Sequence, residues 1–263
     1  MKTEAYINAK QLLFSVCTEK DFLASKSDIS NYKRIWARDG VICGLAALLD
    51  GDKKLIGTFK NTLTTLSKNQ YKLGNIPSNI QFKQDKTQVS FGRLCGRVNT
   101  ISWYIIGVCN YVWFTDDMNF LKLQIPHIKK GILLLEVWEF NNKHLIYTPT
   151  SGNWADEYPK GYTLYDNCLR LWTLQCYHKL KSSERLSYKI ENIRKSIALN
   201  FTHTAKKDNL YHTKALNNSN NWGVYENFKA QTGKFIGVLA CAWSAAATII
   251  LAKNLEEKSL LIS

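Results

Sequence analysis

Apolar residues along this chain recur mostly at three- and four-residue spacing, the period of a helix with one buried face. That pattern predicts helices at 5–17, 40–50, 55–69, 99–115, 120–138, 164–181, 184–200 and 239–254. Between them lie short polar segments rich in turn formers: SKSDISN, KLGNIPSN, TPTSGNWADEYPKG and KALNNSNNWG. Alternation of the strand kind is scarce, and the best short candidate is HLIYTP at 144–149. No low-complexity tract or proline-rich linker interrupts the chain, so residues 1–263 read as one all-α domain of helical hairpins. No fixed-length repeat is visible, which argues against the common solenoid families.

Composition narrows the picture. Hydrophobic residues make up 45% and charged residues 21%, ordinary for a globular protein. The net charge of +14 comes from lysines scattered along the chain, without a basic arm or tail, which argues against a nucleic-acid partner and for solvated faces. Seven cysteines are odd in number and form no CxxC pair. Several sit in apolar runs, such as Cys43 in VICGLAALL and Cys109 in WYIIGVCNYVWF, as buried thiols of a reducing compartment do. The first residues carry Glu4 and lack a long apolar core, and no stretch nears the ~18 apolar residues of a membrane span. A cytoplasmic protein without a membrane partner is expected. The histidines at 127, 144, 178, 203 and 212 are isolated in sequence, so neither a metal nor an organic cofactor is expected.

The candidate chemistry lies where tryptophans stand beside carboxylates in polar segments. In YKRIWARDGVI, Trp36, Arg38 and Asp39 precede an apolar helix. Asp39 can serve as an N-cap, but the neighbouring Arg and Trp also supply a fork of donors and a stacking face for a polyhydroxylated ligand. In SGNWADEYPKGYTLYDNCLRLW, Trp154 stands beside Asp156 and Glu157. A carboxyl group held against an indole in a partly dry pocket has its pKa raised, as a general acid requires; solvated loop charges are the alternative. In NNWGVYENFKAQTGKF, Glu226 lies among Trp222, Tyr225 and Phe228. Paired carboxylates from separate segments are what glycoside hydrolysis uses.

Taken together, and in this order, the segments resemble the six-hairpin (α/α)6-barrel glycosidase superfamily, especially neutral/alkaline invertases and bacterial amylo-α-1,6-glucosidase-like proteins. WARDG at 36–40 is similar to the family's Arg-Asp motif before its first long barrel helix, where the pair grips sugar hydroxyls. GNIPSNI at 74–80 resembles the family's G-x-IP loop. GRVNTISWYIIGVCNYVWFTDD at 96–117 resembles the GRV…D…WW/F-I-I…TGD stretch. NWADEYPKGYTLYDNCLRLW resembles the W-x-D segment that carries the acid. YENFKAQTGKFIGVLACAWSAAATII at 225–250 resembles the stretch that carries the base.

The resemblance implies an (α/α)6 toroid and a glycoside hydrolase acting on an α-glucoside or sucrose-like substrate by inversion. It assigns Asp156 as acid and Glu226 as base. Trp36, Arg38, Asp39, Asn99, Trp103 and Trp154 would hold the sugar, with Glu157 beside them as reserve acid. The chain departs from the family in two ways. Asn99 stands where the family has Asp, which keeps the size but loses the charge. Twelve helices of ~15 residues with their loops need well over the 263 residues present. The barrel is therefore expected to be incomplete, with a shortening near 200–222. Two other functions stay open: a carbohydrate-binding remnant with an impaired acid–base pair, and a basic helical nucleic-acid-binding protein. Oligomeric state is not legible.

Overall fold

The structure, a computed structural model, describes residues 3–27, 30–84, 86–93, 96–140, 143–154, 160–201, 225–228, 235–239 and 242–257. The described residues form an all-α fold with minor β-hairpins. The helices are α1 (Glu4–Val16), α2 (Ala37–Asp50), α3 (Lys53–Lys68), α4 (Val98–Thr115), α5 (Met118–Val137), α6 (Leu164–Leu180), α7 (Glu184–Phe201) and α8 (Ala242–Glu257). All eight predicted helices are present, most within two or three residues of their expected ends. Short links at 51–52, 116–117 and 181–183 join α2 to α3, α4 to α5 and α6 to α7, giving the helical hairpins of an (α/α) fold. Among the described residues no helix is long and apolar enough to cross a membrane.

The chain divides into two compact units, and the division falls within α3. One unit takes the described residues through Thr62 together with α8 and the strands β4 (Tyr225–Phe228) and β5 (Phe235–Leu239). Its first helix starts at Thr3, whose hydroxyl accepts the Tyr6 N–H at 3.3 Å. Tyr6, Ala9, Leu13 and Val16 form the buried face of that helix. The second helix is buried almost all round and serves as the core of the unit. Alanines 242, 245 and 246 and Ile249 line the buried side of α8, which packs on α1 and α2.

Glycine decides one close approach. A Cβ on Gly44 would lie 2.0–2.2 Å from three ring carbons of Phe59, and one on Gly40 would lie 2.8 Å from the Thr62 methyl. The spacing G-x-x-x-G on α2 therefore leaves room for the Phe59 ring and the Thr62 methyl of α3. The turn that follows α2 uses Gly51 at φ +81°, with its N–H donated to the Ala47 carbonyl at 3.0 Å.

The other unit takes the residues from Leu63 through Phe201. Here α4 is the buried centre, packed on α5 and α6, and α6 packs on α7. Asp117 caps α5 by accepting the Phe120 N–H at 2.9 Å. Leu174, Ile190 and Ile193 form the α6–α7 core, with Ile132, Leu171, Leu186 and Ile197 against it. Each such side chain contributes roughly 1.5–3 kcal/mol when fully buried. Thr100, near the start of α4, donates to the Ile76 carbonyl at 2.9 Å and so fixes the GNIPSN segment.

The strands differ from expectation. The segments β2 (Asn79–Lys83) and β3 (Lys86–Ser90) pair as an antiparallel hairpin, with Ile80 opposite Val89 and Phe82 opposite Thr87. Residues 235–239 form β5, paired with β4, so the last helix begins at Ala242 and not at 239. The run FIGVL favours a strand because its β-branched and aromatic side chains suit a pleated surface. The predicted strand at 144–149 makes only isolated bridges, Ile146 to Glu139 and Thr148 to Gly161.

Candidate functional site

The segment expected to carry the acid has a fixed frame. Thr148 and Gly161 exchange both backbone hydrogen bonds, at 2.8 and 2.7 Å, and close a neck. Gly161 sits at φ +93°, a conformation that side chains strain. Above the neck, Gly152 N–H turns back to the Pro149 carbonyl at 2.8 Å. The Gly152 carbonyl accepts Val98 N–H, at the first residue of α4, at 2.9 Å. Asn153 is then held at both ends: its carbonyl accepts from Arg97 Nη1 at 2.6 Å, and its Nδ2 donates to Asp166 Oδ2 at 2.8 Å.

That same Asp166 oxygen also accepts the hydroxyls of Thr148 and Thr163, each at 2.7 Å. Asp166 is 1% exposed, so its charge is balanced by these donors and by the start of α6, where the helix dipole favours an anion. Asp166 Oδ1, Asn99 Nδ2 and Ser102 Oγ are buried without a protein hydrogen-bond partner.

Along the same face run aromatic side chains. Trp154, 44% exposed, lies 6.2 Å from the Tyr165 ring. The Tyr165 hydroxyl accepts Trp103 Nε1–H at 3.0 Å, and Trp103 meets Trp172 edge-on at 5.9 Å. The expected ligand residues Trp154 and Trp103 are thus brought together through a tyrosine. Asn99 lies one helical turn before Trp103 on α4.

Below the neck, α6 grips the incoming chain through polar side chains on successive turns. Asn167 accepts Ile146 N–H at 2.8 Å and donates back to its carbonyl at 3.2 Å, copying a strand's pairing. Arg170 donates to the His144 carbonyl at 3.2 Å and forms a short ion pair with Glu139, which Lys189 joins at 2.7 Å. Burial alone would push the Glu139 carboxyl up. The Lys189 hydrogen bond and the Arg170 charge outweigh it and hold the carboxyl below its usual range.

The remaining sequence-predicted residues belong to other parts of the chain. Trp36 lies in β1 (Ile35–Trp36), in the other unit, and its Nε1–H donates to the Asn31 carbonyl at 3.0 Å. Arg38 Nε stands 3.6 Å from Asp39 Oδ2. Asp39 does not cap α2: the N-cap position is Trp36, and Asp39 is a buried residue of the first turn. There it faces the positive end of the helix, which serves an anion equally well. Glu226 lies in β4, opposite an irregularity in the pairing with β5, and only its backbone is described. Asp156 and Glu157 lie outside the described residues. Among the described residues no group of three His, Cys, Asp or Glu side chains is placed to hold a metal ion.

Asp166, Thr148, Asn153 and Arg97 were not singled out from the sequence. One signal was present: Thr163-Leu-Tyr-Asp166 has the S/T-x-x-D/E spacing of a helix start, and Thr163 does cap α6. Nothing in the spacing says that Asp166 would also reach across to Thr148 and Asn153.

No protein-family model matches the chain, and no curated protein matches its sequence. The fold is nevertheless shared with glycoside hydrolases of helical-hairpin architecture. A rhamnosidase from Klebsiella oxytoca with rhamnose bound aligns over 99% of this chain with a TM-score of 0.57 at 10% identity. A family 76 glycoside hydrolase from a bovine Bacteroides thetaiotaomicron strain aligns over 75% with a TM-score of 0.51 at 13% identity. The chain spans about half the length of these structures, 49% and 44% respectively.

Proposed function

We propose that this chain is a glycoside hydrolase domain that cleaves an α-glucoside or sucrose-like substrate with inversion. The observation that carries the proposal is the bracing of residues 148–154: Trp154 stands beside the Tyr165 ring, two residues before Asp156 in the sequence. The (α/α) fold shared with two glycoside hydrolases supports the same reading. Asp156 gives a proton to the glycosidic oxygen as the bond to the anomeric carbon breaks. Glu226 takes a proton from the water that attacks that carbon from the opposite side, so the configuration inverts. Trp154 and Trp103 offer flat apolar surfaces to the C–H face of a sugar ring. Arg38 and Asp39 supply donors and acceptors for hydroxyls. Glu157 takes over as acid if Asp156 is not the donor.

A panel of aryl and alkyl glycosides, with sucrose and with rhamnosides and mannosides as comparison sugars, tests this directly. Asp156→Asn and Glu226→Gln should each lower kcat by roughly 10²–10⁴-fold on a substrate the parent cleaves. Proton NMR of the first-formed product should show the inverted anomer. A variant as active as the parent removes that residue from the mechanism, and a retained anomer removes inversion.

One observation favours a second reading. Asn99, where related enzymes carry Asp, is buried, and its Nδ2 has no protein partner. A sugar-binding domain without a working acid–base pair would bind sugar and turn nothing over. Calorimetric titration that finds neither heat of binding nor turnover eliminates it.

A further inference from the structure

Tyr71 stands on a turn that is fixed through its main chain. Its N–H donates to the Asn75 carbonyl and its carbonyl accepts the Gly74 N–H, each at 2.9 Å. Beside it, Gln70 Nε2 donates to the carbonyls of Gly74 and of His127 on α5, each at 3.0 Å. The Tyr71 ring meets Phe91 edge-on at 5.9 Å and is 46% exposed. An aromatic ring held in this way offers a flat apolar face to a ligand at little entropic cost. Phe91 follows directly on β3, and its carbonyl accepts Arg97 N–H at 2.9 Å. Arg97 runs so close to Gly92 that a Cβ there would lie 3.0 Å from Arg97 Cγ. Its Nη1 then donates to the Asn153 carbonyl at 2.6 Å, one residue before Trp154. A single arginine thus joins the Tyr71–Phe91 pair to the row of Trp154, Tyr165, Trp103 and Trp172. Two half-exposed platforms within one unit, each anchored by its own contacts, are more than one sugar ring needs.

We infer that Tyr71 is a second sugar platform, and that the ligand is a linear α-linked gluco-oligosaccharide with one unit at Trp154 and a more distant one at Tyr71. The inference rests on the glycosidase reading above and selects within it the α-glucoside over the sucrose-like substrate. Once one unit is held at Trp154, the rest of the chain meets Tyr71 at high effective concentration. Affinity therefore rises with chain length until the oligosaccharide reaches Tyr71, and then levels off. Burying roughly 50–60 Å² of ring face is enough for about a tenfold gain.

Calorimetric titration with malto- and isomalto-oligosaccharides, from the disaccharide to the heptasaccharide, tests this. In one of the two series the parent should bind the longest member about tenfold more tightly than the disaccharide. Tyr71→Ala should abolish that gain and leave the disaccharide within about twofold of the parent. Tyr71→Leu keeps apolar bulk against Phe91 without a flat ring and should lose the gain as well, which serves if Tyr71→Ala fails to fold. Tyr71→Phe should keep it. Phe82→Ala removes another aromatic ring, 56% exposed on the β2–β3 hairpin, and should leave the length dependence as it is. Affinity independent of length, or a Tyr71→Ala loss equal at all lengths, overturns the inference and leaves the glycosidase reading in place. A parent that binds no member of either series also overturns it, and the panel of glycosides above then decides the glycosidase reading on its own.

Discussion

Glu139→Gln tests whether the ionic cluster under the neck is a working support. The substitution keeps the shape of the side chain and removes its charge. Arg170 then faces an amide while its own side chain is 1% exposed. Removing one partner of a buried ion pair costs about 3–5 kcal/mol, chiefly because the survivor keeps a desolvated charge. Two features place this case at the lower end. Lys189, 24% exposed, can turn toward water, and Arg170 retains the His144 carbonyl at 3.2 Å. A loss of about 3 kcal/mol is expected, read as a lower urea midpoint at unchanged slope.

The difference between parent and variant should also depend on pH. The folded Glu139 carboxyl titrates below the free value of 4.5, so its contribution is complete above that value. It fades as the pH falls through the lower folded value, and parent and variant should converge in acid. The double variant Glu139→Gln/Arg170→Met, with both charges gone, should be more stable than Glu139→Gln alone. A loss under ~1 kcal/mol at neutral pH, or a pH-independent difference, would show that the cluster holds no buried charge of consequence.

Gly44→Ala brings a methyl to within 2.0–2.2 Å of the Phe59 ring, where carbon–carbon contact needs about 3.5 Å. Overpacking costs about 1–3 kcal/mol and outweighs the ~1 kcal/mol that alanine gains over glycine in a helix, so thermal stability should fall. Adding Phe59→Leu should recover part of the loss, and an unchanged or higher midpoint for Gly44→Ala would refute the close approach. Among the cysteines of the described residues, alkylation mapped by mass spectrometry should label the exposed Cys168 first. Burial pushes the Cys176 thiol up to about 12 and the Cys109 thiol well above its ordinary range, so both should resist until the protein unfolds. Early labelling of either would contradict the packing of α4 on α6.

The helices were legible because each carries its own signal. The apolar period of each helix is complete within a few turns of chain, so local reading finds it, and the caps at Thr3, Asp117 and Thr163 are equally local. The β2–β3 hairpin was missed although Ile80 and Phe82 alternate with polar neighbours; only pairing with Val89 and Thr87 makes the pattern decisive. The last helix was begun at Leu239, the final residue of FIGVL, because the apolar run continues from the strand toward the helix. In the site, Trp154 and Trp103 could be chosen from their neighbours in sequence. Asp166 could not, since its partners at 148 and 153 lie across a turn whose path depends on Gly152 and Gly161. Asp39 was offered a cap's role by its position before VICGLAALL, yet the helix begins earlier, at Ala37, and takes Asp39 into its first turn.

The neck between Thr148 and Gly161 is tied by main-chain groups, and these are the same whatever amino acids lie beyond them. Such a joint is indifferent to the side chains around it except at Gly161, whose φ of +93° calls for glycine. The stem and the hold on the enclosed residues are thus separable: main-chain pairing keeps the two ends together, while Asn153, gripped from Arg97 and Asp166, keeps its own place even where the sequence between changes.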